Sequence, residues 1–359
     1  MNRRQMMALT GAGVAGGMAS GIAGGGAATT ADWYVPAEEV PHELTFMQFP
    51  VALSVYGDRW FLEQAQQTIA SIANAIAEFE PVVMLASAAD HGRARRMLSD
   101  KVTLWDIPTE DLWCRDSGPI CAVDGQGGRV IQHIQFNGWG RKQRHKRDGR
   151  VAERVADRLG LPLLPTGLKG EAGGVEQDGH GLLTAHESSW VIDNRNPGMR
   201  REEIEAALLA AYGAERMIWA PGVKGQDITD YHIDSLMRFT GAGRGLINLP
   251  EAPDFEDPFH VSAIETHDIL AAAGVALDVI SEPNVRRVKS LDFVASYANY
   301  YVCNGAVMAA EFGDRATDAA AEAALRRHYP DRDVVMLNVD PLGELGGGIH
   351  CATHELPAG

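Results

Sequence analysis

A cysteine near the C-terminus has the setting of a nucleophile. The glycine run 346–348 comes shortly before His350 and Cys351. Glycine lets other groups approach the backbone closely, and a thiol becomes nucleophilic when a nearby cation or imidazolium lowers its pKa. A lone cysteine is more often a small buried apolar residue, so the segment indicates covalent catalysis only if other residues supply these partners.

Four residues elsewhere in the chain carry the side chains that such a thiol needs: Asp116, Glu171, His232 and Asp234. A histidine can protonate a leaving group and then activate water. Several buried carboxylates around a thiol are unfavourable unless a cation binds between them. A guanidinium suits this place because it is planar, permanently charged and offers pairs of N–H donors to carboxylates. The set predicts attack of Cys351 on a guanidinium carbon.

Each of these residues also has a purely structural interpretation. Asp116 could form a local ion pair with Arg115, and Glu171 could be a solvated turn residue. His232 and Asp234 lie two positions apart, so on a strand they would share a face as a hydrogen-bonded pair. All of these interpretations would have to coincide at the same place in a repeated unit, and we therefore favour a common site.

Two other functional classes stay open. His350, Cys351 and His354, together with His232 and Asp234, have the residue types of a zinc site, although their spacing matches no common ligand pattern. A non-catalytic binding protein for a cationic solute would explain the carboxylates, but it would leave the thiol and the histidine without a role.

The elements that must position these residues recur along the chain. One pattern of apolar strand, helix, second apolar strand, glycine-rich turn and third strand appears five times. The five first strands are predicted at 81–86, 130–136, 190–192, 245–248 and 306–308. The five helices are predicted at 92–98, 151–159, 202–212, 263–272 and 318–328. A leading segment from Trp33 to about Ile76, with its own amphipathic helix Arg59–Ile76, stands outside the copies.

The candidate residues fall at one place in the unit, in the turn before the last strand or within that strand. A ring of units with these turns facing inward would bring the side chains together. The sequence thus predicts a single α/β domain over 33–359, built as a five-fold pseudosymmetric propeller of strand–helix–strand–strand units.

Composition and charge narrow the choice of partner. The formal net charge is −16, which argues against nucleic acid or an anionic membrane surface as a partner. It suits a small cationic substrate. We leave open whether the chain forms a homo-oligomer.

The N-terminus predicts export. Arg3 and Arg4 precede an uncharged run rich in glycine and alanine, which is typical of a twin-arginine signal over 1–28. We expect a periplasmic or extracellular protein that is not associated with the membrane after export. Cys114, Cys121 and Cys303 show no CxxC spacing, and we expect no framework disulfide.

Over nearly all of the mature chain, the sequence resembles the agmatine deiminase family, including its bacterial peptidylarginine-deiminase-like branch, of the guanidine-modifying pentein superfamily. The motifs that carry the resemblance lie at 35–38 with His42, 113–119, 136–140, 171–181, 194–197, 230–234 and 347–351. The patterns Trp-x-Arg-Asp-x-Gly-Pro and Gly-Gly-Gly-Ile-His-Cys are specific, and their order matches the family.

The resemblance implies a five-fold α/β propeller and a role for each candidate. Cys351 would be the nucleophile and His232 the general acid and base. Asp116 and Asp234 would clasp the guanidinium, and Glu171 would orient the histidine and contact the substrate. Further substrate contacts are expected from Trp113, Asn137 and Tyr231, although Tyr231 replaces a glycine that is usual in the family. The implied chemistry uses no metal and no organic cofactor.

We therefore predict an exported cysteine hydrolase that converts agmatine to N-carbamoylputrescine and ammonia, a step of polyamine metabolism. Peptidyl or free arginine, giving citrulline, is the alternative substrate. An amidinotransferase would share the same core and admit an amine instead of water at the second step.

Overall fold

The computed structural model describes residues 33–290 and 293–359. The predicted export signal, 1–28, lies outside the described residues. The strands are β1 (His42–Gln48), β2 (Val82–Ala86), β3 (Val102–Asp106), β4 (Ile120–Val123), β5 (Arg129–Gln135), β6 (Leu163–Lys169), β7 (Val175–Gln177), β8 (Leu182–His186), β9 (Arg216–Ala220), β10 (Met237–Gly241), β11 (Arg244–Leu249), β12 (Ala276–Ser281), β13 (Tyr301–Cys303), β14 (Ala306–Glu311), β15 (Asp333–Asn338) and β16 (Thr353–Pro357).

Helices of very different lengths connect these strands. They are α1 (Leu53–Tyr56), α2 (Arg59–Ile76), α3 (His91–Arg95), α4 (Cys114–Ser117), α5 (Gly138–Arg141), α6 (Val151–Leu159), α7 (Glu187–Trp190), α8 (Arg201–Tyr212), α9 (Pro258–Ala272), α10 (Arg315–His328), α11 (Asp340–Glu344) and α12 (Ile349–Ala352). Single 3₁₀ turns lie at Asp148–Arg150, Ala172–Gly174 and Ile233–Ser235.

The strands form five small mixed sheets, which confirms the predicted five-fold α/β propeller. Four sheets have the orders β4-β5-β6, β7-β8-β9, β10-β11-β12 and β13-β14-β15. In each, an antiparallel hairpin is followed by a helix and a third strand parallel to the second. The first strands lie innermost, since β16 packs beside β4 and β7 beside β10.

The unit boundaries differ from the prediction. The strand that follows each glycine-rich turn begins the next sheet instead of ending its own: β4 pairs with β5, antiparallel. The leading segment also belongs to the propeller, because β1 lies between β16 and β2 in a four-stranded sheet, β16-β1-β2-β3. The last strand of the chain thus joins the first sheet.

Two local predictions were wrong. Residues 190–192 form no strand, because Trp190 ends α7 and its indole Nε1 donates to the carbonyl of Gly174. His232 and Asp234 do not share a strand face, since the chain enters a 3₁₀ turn at Ile233–Ser235. The left-handed backbone of the residues just before His232 prevents a continuous strand here.

Helix α2 shows how the sequence determines the outer layer. The Asp58 side chain accepts from the amide of Phe61 and so caps the helix start. Ile69, Ile72 and Ile76 recur every three or four residues and are fully buried in the largest apolar cluster. This helix packs against β1, β2 and β14 and so lies between the first sheet and the sheet β13-β14-β15.

The described helices and the four cysteines bear on the export and disulfide predictions. In the part of the chain that the structure describes, no helix is both long and apolar enough to span a bilayer. Cys114, Cys121 and Cys303 are buried as free thiols, and Cys351 is partly exposed.

Candidate active site

Short helical turns at the inner ends of neighbouring sheets carry the predicted residues. Helix α4 packs against α12 and against the 3₁₀ turn Ala172–Gly174, which in turn packs against Ile233–Ser235. A β-carbon on Gly173 would lie 2.8 Å from Asp116 Oδ1, 3.0 Å from His232 Nδ1 and 3.1 Å from Asp234 Oδ2. The three groups therefore surround one point, as the inward-facing turns predict.

His232 is a buried imidazole held between two carboxylates. Its Nε2 lies 3.2 Å from Glu171 Oε2, and its Nδ1 lies 3.6 Å from Asp116 Oδ1. Burial disfavours the cation, but the charge of Asp116 and the hydrogen bond to Glu171 outweigh it and raise the pKa of His232 to about 9. The residue is therefore an imidazolium at neutral pH and can give up a proton.

The Asp116 carboxylate is buried and accepts hydrogen bonds from two N–H groups. Trp139 Nε1 donates to its Oδ2 at 2.8 Å, and the amide of Gly173 donates to its Oδ1 at 3.3 Å. Burial raises the pKa of Asp116 to about 6, although the His232 cation lowers it. The carboxylate is thus mostly ionised at neutral pH, and the cation near it is His232, 3.6 Å from its Oδ1.

The thiol of Cys351 faces a carboxylate and an amide. It donates to Asp234 Oδ2 at 3.5 Å, and Asn299 Nδ2 lies 3.1 Å from Sγ. The Asn299 side-chain oxygen accepts from the amide of Cys351 at 3.3 Å, which fixes the amide orientation. Burial first, and then the charges of Asp234 and Asp116, raise the pKa of Cys351 well above its ordinary value. The group is a neutral thiol until a cation enters.

His350 holds the Asp234 carboxylate in place through a hydrogen bond. His350 Nδ1 lies 2.7 Å from Asp234 Oδ2, and its Nε2 lies 3.1 Å from Glu38 Oε2. Burial raises the pKa of Asp234, but the hydrogen bond and charge of His350 outweigh this and lower it. The other oxygen, Oδ1, is buried and accepts no hydrogen bond from residues 33–290 and 293–359. A buried carboxylate oxygen without a hydrogen bond is energetically unfavourable, so a bound N–H donor would stabilise it.

Glu171 is oriented by a fully buried arginine. Arg195 Nε lies 3.1 and 2.8 Å from the two Glu171 oxygens, and its Nη1 donates to Asp230 Oδ2 at 2.7 Å. The Arg195 guanidinium thus links Glu171, which contacts the His232 ring, to Asp230, which lies in the turn just before His232. This arrangement fixes the histidine from two directions.

The Trp113 ring and the Cys351 thiol both lie close to Gly347. A β-carbon on Gly347 would lie 2.6 Å from the Trp113 ring and 3.3 Å from Cys351 Sγ. Only glycine permits this close approach of indole, backbone and thiol, which explains the second glycine of the 346–348 run.

Asn137 and Tyr231, the other two predicted substrate contacts, have side chains that contact other parts of the protein. The Asn137 side chain accepts from the amide of Gly140 and donates to the carbonyl of Asn194, so it shapes the loop that carries Trp139. The Tyr231 ring stacks on His186 with centroids 4.6 Å apart and packs in an apolar cluster. Its predicted contact with substrate has no support in this packing.

The sequence did not reveal Asn299, Trp139 or the role of His350 behind Asp234. Trp139 has a left-handed backbone, φ 53°, between two glycines, and this Gly-Trp-Gly pattern is the signal that could have marked it. Asn299 is 52 positions from Cys351, and no local pattern points to it.

The zinc alternative requires His354 in the same site. Its Nδ1 instead lies 3.2 Å from the carbonyl of Cys114. Across the two described ranges, no three His, Cys, Asp or Glu side chains are grouped so that they could hold a metal ion. The geometry therefore gives the zinc alternative no support.

The chain is similar in sequence and in fold to proteins named as deiminases. The family model described as Porphyromonas-type peptidyl-arginine deiminase matches residues 34–357. An agmatine deiminase of Stutzerimonas stutzeri is 32% identical, and the match covers 91% of this chain and 96% of that protein.

Two solved structures have the same fold. The agmatine deiminase of Enterococcus faecalis superposes with a TM-score of 0.83 at 23% identity, covering 91% of this chain and 96% of that one. A Cys-to-Ser variant of C. jejuni agmatine deiminase with substrate bound superposes with a TM-score of 0.79 at 22% identity. The match covers 90% of this chain and 96% of that one.

Proposed function

We propose that this chain, which belongs to the Porphyromonas-type peptidyl-arginine deiminase and agmatine deiminase family and is a guanidino-group hydrolase, converts agmatine to N-carbamoylputrescine and ammonia. The observation that carries the proposal is the Asp234 carboxylate: its Oδ2 lies 3.5 Å from the Cys351 thiol, and its buried Oδ1 has no hydrogen-bond partner among the described residues. A guanidinium N–H satisfies this oxygen and brings a positive charge to the thiol.

Substrate binding prepares the nucleophile. The guanidinium lies between Asp116 and Asp234, whose charges hold the pKa of Cys351 high. Its positive charge offsets these carboxylates, and the thiol can then release its proton to solvent. The nucleophile is therefore formed only when a cationic substrate is present.

The first half-reaction releases ammonia. The Cys351 sulfur forms a bond to the guanidinium carbon, giving a tetrahedral intermediate. The His232 imidazolium donates a proton to one nitrogen, the C–N bond breaks, and ammonia leaves. The product is an amidino group bound covalently to sulfur, and His232 is now neutral.

The second half-reaction uses water. Neutral His232 takes a proton from a water molecule, whose oxygen bonds to the same carbon. Breakage of the C–S bond then returns the Cys351 thiolate, and the new C–OH group loses its proton to solvent, which yields the ureido product. Glu171 and Asp116 stabilise the imidazolium that this step regenerates.

The test compares substrates. Purified protein is incubated with agmatine, free arginine and an arginyl peptide, and released ammonia and ureido product are both measured. We expect the highest kcat/KM with agmatine. A higher kcat/KM with arginine or the peptide would show that this compound, and not agmatine, is the preferred substrate. Formation of a new guanidino compound without free ammonia would identify a transferase.

We also propose that the protein is exported by the twin-arginine route. The support is the Arg3-Arg4 pair ahead of an uncharged run. Fractionation of cells that express the full chain tests this, with a variant in which both arginines are replaced by lysine as the control. Export of the native chain alone is expected, and equal export of both would overturn the proposal.

A further inference from the structure

Two consecutive residues before His232 have left-handed backbones. Asp230 has φ 60° and Tyr231 has φ 67°, and His232 then leaves in an extended conformation with φ −67° and ψ 140°. This region is unfavourable for residues that carry a β-carbon, and most of all for bulky ones. Such strain persists only where the surroundings hold it. The turn determines where the histidine points.

The first residue of the pair is fixed by its side chain. Asp230 Oδ2 lies 2.7 Å from both Lys142 Nζ and Arg195 Nη1, and Oδ1 accepts from the amide of Gly225 at 2.8 Å. Its carbonyl accepts from Ser188 Oγ at 2.6 Å. Asp230 is thus anchored on the side of the turn that faces Glu171.

The second residue is fixed by its ring and its carbonyl. The Tyr231 ring stacks on His186 at 4.6 Å and 20°, and it meets the edge of Phe259 at 5.0 Å and 79°. Its carbonyl lies 2.8 Å from His186 Nδ1. Because a carbonyl only accepts, Nδ1 carries a proton. Nε2 lies 3.1 Å from the Thr266 hydroxyl, which itself donates to the carbonyl of Ser262 at 2.7 Å.

The Tyr231 ring thus stacks on an imidazole, His186, that is uncharged. Burial lowers the pKa of His186 to about 4, so the stacked imidazole stays uncharged at neutral pH. It holds both the aromatic face and the carbonyl of the same residue. A glycine at 231 would adopt this backbone without strain, but it would have no ring for His186 to hold.

We propose that Tyr231 is a positioning residue whose buried ring fixes the left-handed turn that aims His232 into the site. The catalytic consequence rests on the proposed function. The ring packs in the cluster with Ile233 and Phe239, and its effect on the reaction passes through the backbone to the histidine.

Three variants separate the ring from the backbone. Tyr231→Phe keeps the ring and should hold kcat within about twofold of the native value. Tyr231→Ala removes the ring but keeps the β-carbon at the strained position. It should lower kcat by about 10- to 100-fold, because a displacement of about 1 Å can reduce a rate this much. KM should change less than about threefold, because the clasp residues Asp116 and Asp234 are retained.

A second readout does not depend on turnover. The pKa of His232 follows from NMR titration of histidine-labelled protein, with the signal assigned by its loss in His232→Gln. The charge of Asp116 and the hydrogen bond to Glu171 raise the pKa of His232 to about 9, so this pKa depends on the ring nitrogens staying close to both carboxylates. Tyr231→Ala should move it toward the ordinary value of about 6.5, and Tyr231→Phe should not.

The outcomes are distinct. If Tyr231→Ala keeps both the native kcat and the native pKa of His232, the proposal is overturned. If that variant does not fold, Tyr231→Gly decides, since glycine adopts the turn freely: native values of both quantities would overturn the proposal, and a partial fall in both would support it. If the native protein acts on no guanidino compound but the pKa shifts as expected, the positioning role stands and the proposed function fails.

Discussion

The sulfur of Cys351 lies 3.5 Å from a carboxylate oxygen of Asp234 that also lies 2.7 Å from His350 Nδ1. A nucleophilic thiol is usually placed near a cation, whereas here the nearest charged group is an anion. The free protein is therefore held in an unreactive state, and the substrate itself supplies the missing positive charge.

Alkylation of the free protein should report this state. Because burial and the charges of Asp234 and Asp116 raise the pKa of Cys351, iodoacetamide should modify it slowly at pH 7 and increasingly fast above pH 9. Asp234→Asn removes one of these charges and should make the thiol more reactive at neutral pH. Labelling is followed by mass spectrometry of the Cys351 peptide.

Background from the three buried cysteines is measured in Cys351→Ala. A native alkylation profile with its midpoint at or below the ordinary thiol value of about 8.5 would be incompatible with the account.

The pH dependence of kcat/KM should be bell-shaped. The active form has Asp116 ionised and His232 protonated. The pKa of Asp116, raised to about 6, implies that activity falls as the pH drops through 6 and the carboxylate takes up a proton. The pKa of His232, raised to about 9, implies a second fall as the pH rises through 9 and the imidazolium loses its proton.

Steady-state rates with agmatine from pH 4 to 11 measure both limbs. The basic limb should disappear together with activity in His232→Gln. A native profile that still rises between pH 9 and 10 would show that protonated His232 is not required.

How much of this arrangement could be predicted from sequence depends on the range of each contact. The repeated strands and turns are local patterns, so the five-unit architecture and the grouping of Asp116, His232 and Cys351 followed from them. The Asn299–Cys351 contact depends on how sheets far apart in the chain close around the axis, and nothing local encodes it. The spacing of His232 and Asp234 did not place them on one strand face, because Asp230 and Tyr231 adopt left-handed backbones just before them.

His350 should control the ionisation of Asp234. Its charge and hydrogen bond lower the pKa of that carboxyl, so His350→Gln should raise it. Burial then dominates and should bring the pKa of Asp234 into the range of Asp116 or above it. The acid limb of kcat/KM should therefore become steeper and move to higher pH, because two carboxyls take up protons there. His354→Gln is the matched control, since His354 is also buried and contacts the carbonyl of Cys114 instead. Equal shifts in both variants would argue against a specific role.

Arg195 should stabilise the protein strongly. It is fully buried between Glu171 and Asp230, and Arg195→Leu leaves two buried carboxylates without this partner. Loss of one member of a buried ion pair lowers the free energy of unfolding by about 3–5 kcal/mol. Arg201→Leu, which breaks an exposed pair with Glu187, should lower it by less than about 1 kcal/mol. Urea unfolding measures both, and similar losses in the two variants would disprove the structural role.

The central claim is that Cys351 forms a covalent bond to the guanidinium carbon. Ammonia release by Cys351→Ala, at saturating agmatine and with folding checked by circular dichroism, tests it most directly. Loss of the nucleophile in a covalent mechanism should reduce turnover by at least about 10⁴-fold. Because Asp116 and Asp234 remain, the variant should still bind agmatine. Ammonia release within tenfold of the native rate would contradict the account.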